Sequence, residues 1–344
     1  MKKFIFISLI TGIVFFHYAC TDIAGDGIDT IVYNGSQVPE DSAYLNPVWN
    51  FDLTDASVFL SSGPFYAMGE EKQWAAGIQY VVPTLTSNNL MDWALISQAQ
   101  AFLEKPDWAE GNVISVTGLF SKSIGMYYLY YQLGDDGLGV ADARTPQGPY
   151  NDYGKFTDKE TLGVSGIEDP FVYALGSSFY LFFGVPGDGI YGVKLSVRKN
   201  EIPTLAGTKF KIAGPGYAGS FVRKRGTGYY LFGTSGGSIV MGKATSIEGP
   251  YLDQAGVDLI QSAGTPLVVT SEDFLQLGEV SGIQQDYQDE DWILYTAIET
   301  KMPTLSTGLD RYVLLLNRIT YDGNGWPAET IEARSGYCYP RYKN

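Results

Sequence analysis

Aromatic and β-branched runs recur along this chain, each closed by a glycine-rich turn. From Tyr217 to Tyr251 three follow one another. Ser220 to Lys224 alternates, Gly226-Thr227-Gly228 turns, Tyr229 to Gly233 is aromatic, Gly236-Gly237 turns again, and Ile239 to Thr245 ends before Gly249-Pro250. Such runs between glycine turns predict hairpin-connected strands. The pattern returns at Gly125 to Tyr150 and Ser178 to Ser196, and in shorter form at Pro64 to Gly69 and Asp291 to Ala297. Aligned on their middle strands, the units centre on Ala67, Leu129, Leu181, Leu231 and Leu294, with spacings of 62, 52, 50 and 63 residues. Five sheet units at a period near 50 predict an all-β, five-bladed β-propeller. The alternative is an irregular β-sandwich in which the strings coincide.

The first residues differ. Lys2 and Lys3 precede an apolar run from Phe4 to Phe16, too short to span a bilayer, so 1–19 is expected to be a signal peptide. His17-Tyr18-Ala19-Cys20 resembles a bacterial lipoprotein box, with His17 where leucine is usual. Cleavage before Cys20 with lipidation of its thiol is the expected outcome; secretory cleavage leaving a free thiol is the alternative. The span 20–42, rich in Gly, Asp and Ser, is expected to be a flexible tether, and 43–344 the propeller. This organisation implies export, with anchoring at the outer membrane or cell surface.

Removing the leader changes the composition. Two of 23 basic residues go with it, so 21 face 38 acidic ones and the net charge is −17. That argues against a nucleic-acid partner. His17 is the only histidine, so the exported chain has none, which excludes a Ser-His-Asp triad and His-ligated zinc. With Cys20 lipidated, Cys338 is expected as a packed thiol in the closing strand.

Further short motifs occur in order along the body. They are Asn46-Pro47 with Asp55-Ala56-Ser57-Val58, Ser87 to Trp93, Trp108-Ala109, Ile167-Glu168-Asp169-Pro170, Gly219 to Lys224, Asp291 to Tyr295, and Gly325-Trp326-Pro327. Together they resemble glycoside hydrolase family 43, whose members are five-bladed propellers that cleave arabinan, xylan and related side chains with inversion. Inversion needs two carboxyl groups flanking the glycosidic bond, one drawing a proton from water and one protonating the leaving oxygen.

The resemblance implies Asp55 as general base and Asp169 as the carboxylate that orients the acid. It places the acid at Ala218, which has no proton to give, and puts Val280 where the family has a histidine near its channel metal. Two accounts stay open. Either another carboxyl has taken the acid role, with Glu279 the first candidate and Glu168 and Glu110 behind it, or the chain is a glycan-binding surface protein on a retained fold. A purely structural propeller ranks third. Trp49, Trp108 and Phe221 are expected to stack on sugar rings, or else to be blade core, and Arg311 to reach a sugar hydroxyl or a neighbouring carboxylate. The resemblance favours arabinan as substrate, then xylan or arabinoxylan, with no cofactor and a monomeric chain.

Overall fold

The computed structural model describes residues 20–21, 30–33, 36–39 and 43–338, apart from 62, 97–100, 135–136 and 287. The expected signal peptide, 1–19, lies outside the described residues. Within the stretch expected to be a tether, Thr30–Tyr33 and Ser36–Pro39 pair as an antiparallel hairpin.

The body is a five-bladed β-propeller of antiparallel sheets. Blade one runs from its inner strand Ser57–Leu60 through Phe65–Met68 and Thr84–Ser87 to Ala94–Leu95. Blade two is Ile114–Ser121, Met126–Leu133, Gly137–Ala143 and Asn151–Asp158. Blade three starts with Glu168–Leu175, Ser178–Val185 and Gly189–Ser196. Blade four starts with Tyr217–Arg225, Gly228–Ser235 and Ser238–Ala244, the last two joined by the two-residue Gly236-Gly237 turn. Blade five is Phe274–Gln285, Asp291–Glu299 and Tyr312–Ile319.

The five residues on which the sequence units align all sit in second strands, and none is more than 1% exposed. Successive side chains of a strand point to opposite faces, and here each face meets another blade. Tyr127, Leu129 and Tyr131 pack toward blade one, whereas Tyr128 and Tyr130 pack toward blade three. Five apolar clusters fill the five seams between neighbouring blades. Burial on both faces is why these strands read as unbroken aromatic runs rather than as alternation.

The ring closes between the chain's two ends. Tyr44–Asn46 pairs with Gly336–Cys338, and the Asn46 side chain bonds both the N–H and the carbonyl of Leu316 in blade five, at 3.0 and 3.1 Å. The Asn-Pro motif thus serves closure. Asp291 of the Asp-Trp motif joins blades four and five, with Arg223 at 3.2 Å, Arg225 at 3.0 Å and the Tyr321 hydroxyl donating at 3.0 Å. Cys338 lies in the closing strand as expected, but it is disulfide-bonded rather than a free packed thiol, and the strand register sets it opposite Cys20. One cysteine sulfur cannot carry both this bond and a lipid.

Candidate active site

The inner and second strands pair in the same register in every blade. Val58 faces Ala67, Gly118 faces Leu129, Val172 faces Leu181, Val222 faces Leu231 and Gly282 faces Leu294. Counting three residues back from each inner partner gives Asp55, Ser115, Asp169, Gly219 and Glu279. These equivalent positions surround the axis at one end of the ring. The cavity there is lined by the same stretch of every blade: Asp55 to Ser57, Ser115 to Thr117, Asp169 to Phe171, Ser220 and Phe221, and Glu279 to Ser281.

The local backbone is bent to present these residues. Asp55, Ser115 and Asp169 have φ of 45°, 47° and 49°, and Gly219 has 64°. In blades two, three and four the strand pairing slips at this point. Positive φ costs a non-glycine residue energy, and the neighbouring blades hold it in place.

Gly219 makes the arrangement asymmetric. A Cβ added there would lie 2.7 Å from Glu279 Cδ and 2.8 Å from its Oε1. The carboxyl of Glu279 therefore leaves its own blade and occupies the corner that blade four leaves empty, against the residue that follows Ala218. Blades one and four are not neighbours in a five-membered ring, so this carboxyl faces Asp55 across the cavity. On its other side is Asp169, whose carboxylate accepts the Gly219 N–H at 3.2 Å.

Three carboxyls in one pit cannot all ionise freely. Burial pushes the Glu279 carboxyl well above its ordinary range; the charges of Asp169 and Asp55, a hydrogen bond to Asp169 and the charge of Glu168 push the same way. These effects all favour the protonated form of Glu279, which donates a hydrogen bond to Asp169. Asp55 is raised to about 6, mainly by burial and then by the charge of Asp169, while a hydrogen bond from Glu70 and the charge of Lys72 act against the rise. Asp55 is therefore mostly ionised at neutral pH. The site thus biases Glu279 toward the acid form while Asp55 ionises more readily, which is the pairing that acid–base chemistry requires.

The segment before Asp55 is firmly held. Lys72 Nζ contacts Asp52 Oδ1 at 3.0 Å, Thr54 Oγ1 at 2.5 Å and the carbonyl of Asp310 at 2.6 Å, with Lys72, Asp52 and Thr54 all buried. Asp52 also accepts the Tyr312 N–H at 3.0 Å.

The other expected site residues divide. Phe221 lines the cavity and packs on Phe171 with ring centroids 4.9 Å apart. Trp49, Trp108 and Arg311 are not brought to it. Trp49 packs in the seam between blades one and five and bonds the Asp52 carbonyl. Trp108 packs in the seam between blades one and two, its Nε1 on the Tyr131 hydroxyl at 2.9 Å. Arg311 is 1% exposed and engages Glu299 at 2.5 Å, Met302 O and Asn50; of its two expected partners it takes the carboxylate. Each of these side chains found a closer partner in the packing than a surface position would offer. Of the further acid candidates, Glu168 is exposed but close enough for its charge to act on Glu279, and Glu110 is exposed and away from the cavity lining. Ala218 is exposed beside the occupied corner.

The metal that the family resemblance implies does not fit these residues. Val280 lines the cavity where the histidine would stand, and an isopropyl group offers no lone pair. Among the described residues no group of three His, Cys, Asp or Glu is arranged to hold a metal ion.

The sequence reading missed Glu70 and Lys72, which belong to no motif. Glu279 was reachable by counting, because the three-residue offset from the paired position is the same in all five blades.

The model of the family Glycosyl hydrolases family 43 matches residues 44–327. An extracellular exo-alpha-(1->5)-L-arabinofuranosidase of Cellvibrio japonicus is 25% identical over 75% of this chain and 83% of its own length. An arabinan endo-1,5-alpha-L-arabinosidase of Aspergillus aculeatus is 26% identical over 59% of this chain and 69% of its own. Among solved structures, the alpha-L-arabinanase of Cellvibrio cellulosa complexed with arabinohexaose superposes with a TM-score of 0.65. It is 21% identical and covers 80% of this chain and 94% of that one.

Proposed function

Since the chain belongs to glycosyl hydrolases family 43, we propose that it hydrolyses arabinan outside the cytoplasm, with Asp55 as general base and Glu279 in place of the missing acid. The observation that carries this reading is the Glu279 carboxyl seated on Gly219, beside Asp169 and across the cavity from Asp55. The likeness to arabinan-cleaving relatives selects the polymer.

In this mechanism Asp55 takes a proton from a water molecule as that water attacks the anomeric carbon. The Glu279 proton passes to the departing glycosidic oxygen. Until then the Asp169 carboxylate holds that proton in a hydrogen bond and keeps Glu279 from ionising. Attack and departure on opposite faces invert the anomeric centre. Phe221 offers an apolar face at the wall for a sugar ring.

Linear arabinan incubated with the exported chain should release arabinose or arabino-oligosaccharides whose new reducing end appears first in the β configuration, as read by proton NMR within the first minutes. Absence of release from arabinan, xylan and arabinoxylan alike would refute hydrolysis and leave a carbohydrate-binding protein.

The anchor is a second proposal. The apolar run before Ala19-Cys20 supports export with a lipid on Cys20; a Cys20 thiol lipidated before the chain folds cannot enter the disulfide, and Cys338 then keeps its thiol. Mass spectrometry of chain purified from membranes should find a diacylglyceryl thioether on the Cys20 peptide. A Cys20–Cys338 peptide released by reductant would overturn it.

A further inference from the structure

Glu70 stands where the chain leaves the second strand of blade one, and the packing directs it at Asp55. A Cβ on the preceding Gly69 would lie 2.9 Å from Leu53 Cδ1 and 3.2 Å from the Thr54 carbonyl, so a side chain there would crowd this approach. The approach delivers the Glu70 N–H to Thr54 O at 3.1 Å and brings its half-buried carboxyl into hydrogen bond with Asp55. The next residue locks the segment. Glu71 donates its N–H to Val113 O at 2.7 Å, and its carboxylate takes the Val113 N–H at 2.9 Å, Gln79 Nε2 at 2.6 Å and Lys105 at 2.7 Å.

We propose that Glu70 is the positioning residue of the base: it keeps a proton, donates it in a hydrogen bond to one Asp55 oxygen, and so leaves the other to face the attacking water. The inference rests on Asp55 as the base. The charged groups facing Glu70 are Asp55 and Asp52 from the segment before blade one, and Lys72 from the hairpin that follows. Tyr312 of blade five borders the same space, with Asp310 and Glu279 beyond it. Lys72 is the cation among them, and Asp52, Thr54 and the Asp310 carbonyl already engage it. Burial, then the charge of Asp55, raises Glu70 to about 8, so the proton stays at neutral pH. Above that pH the donor is lost and a second negative charge stands beside the base.

Glu70→Gln keeps a donor that cannot ionise; Glu70→Ala removes it. Nitrophenyl α-L-arabinofuranoside isolates the base, because nitrophenolate leaves without a proton. Glu70→Ala should lower kcat about tenfold or more with KM within about twofold, since a misaimed base slows the step without weakening binding. Glu70→Gln should restore kcat and lose the wild-type decline above about pH 8. Independently of turnover, carboxyl-carbon NMR titration of the whole protein should show two steps for the pair, one step in Glu70→Gln, and a higher midpoint for Asp55 in Glu70→Ala. An Asp55 step unmoved in Glu70→Ala, or Glu70→Gln as impaired as Glu70→Ala, would overturn the proposal. Asp55→Asn separates the two readings. If it still cleaves the aryl glycoside, the base itself is misassigned. If it is inactive while both Glu70 variants keep the wild-type profile, only the role of Glu70 fails.

Discussion

Asp55→Asn is expected to slow cleavage of both linear arabinan and nitrophenyl α-L-arabinofuranoside by on the order of 10²–10⁴-fold, because both need a base to activate water. The amide preserves shape and removes the lone pair that takes the proton. The same substitution should stabilise the fold. Asp55 is raised from 3.8 to about 6, so the folded state resists its ionisation. A raised carboxyl costs stability increasingly as pH climbs from its unfolded value through its folded one. Thermal unfolding should therefore show a higher Tm for Asp55→Asn at pH 8 and little change at pH 4. Gained stability with lost activity is the pattern of a group kept for function against the preference of the fold. Lost activity with lower stability at both pH values would show a structural aspartate instead.

Glu279→Gln should divide the two substrates. On linear arabinan the leaving oxygen needs a proton, and the loss is expected to be on the order of 10²–10⁴-fold. On the aryl glycoside the leaving group departs as an anion, and the rate should stay within a few fold of wild type. The pH profiles follow the same logic. Wild-type turnover of arabinan should rise as pH passes about 6, where Asp55 ionises, and fall as pH passes the raised value of Glu279. Initial rates on both substrates across pH measure this directly. Equal losses on both would mean that Glu279 shapes the site without giving a proton, and another acid would have to be sought, beginning with Glu168.

The sequence by itself determined the ring and much of its chemistry. The aromatic strings around Leu129, Leu181 and Leu231 read as strands, and five sheet units at similar spacing pointed to a propeller. Asp55 and Asp169 were legible because they fall within short motifs whose local backbone, bent to positive φ, presents them to the axis. That Ala218 carries no proton to give was legible too, from the residue type alone.

Only the tertiary structure decided where the Glu279 carboxyl sits. Glu279 reaches the corner of blade four because Gly219, 60 residues earlier in the chain, has no side chain to exclude it. Glu70 meets Asp55 because Gly69 packs on Leu53 and Thr54. Trp49, Trp108 and Arg311 were expected at the site, yet the Trp49 backbone bridges to Leu314 and the Trp108 and Arg311 side chains bond Tyr131 and Glu299 on neighbouring strands. Strand period and turn chemistry are local and survive in the sequence. The partner of a long side chain is set by which blades adjoin and which corner is empty, and that is fixed only when the ring closes.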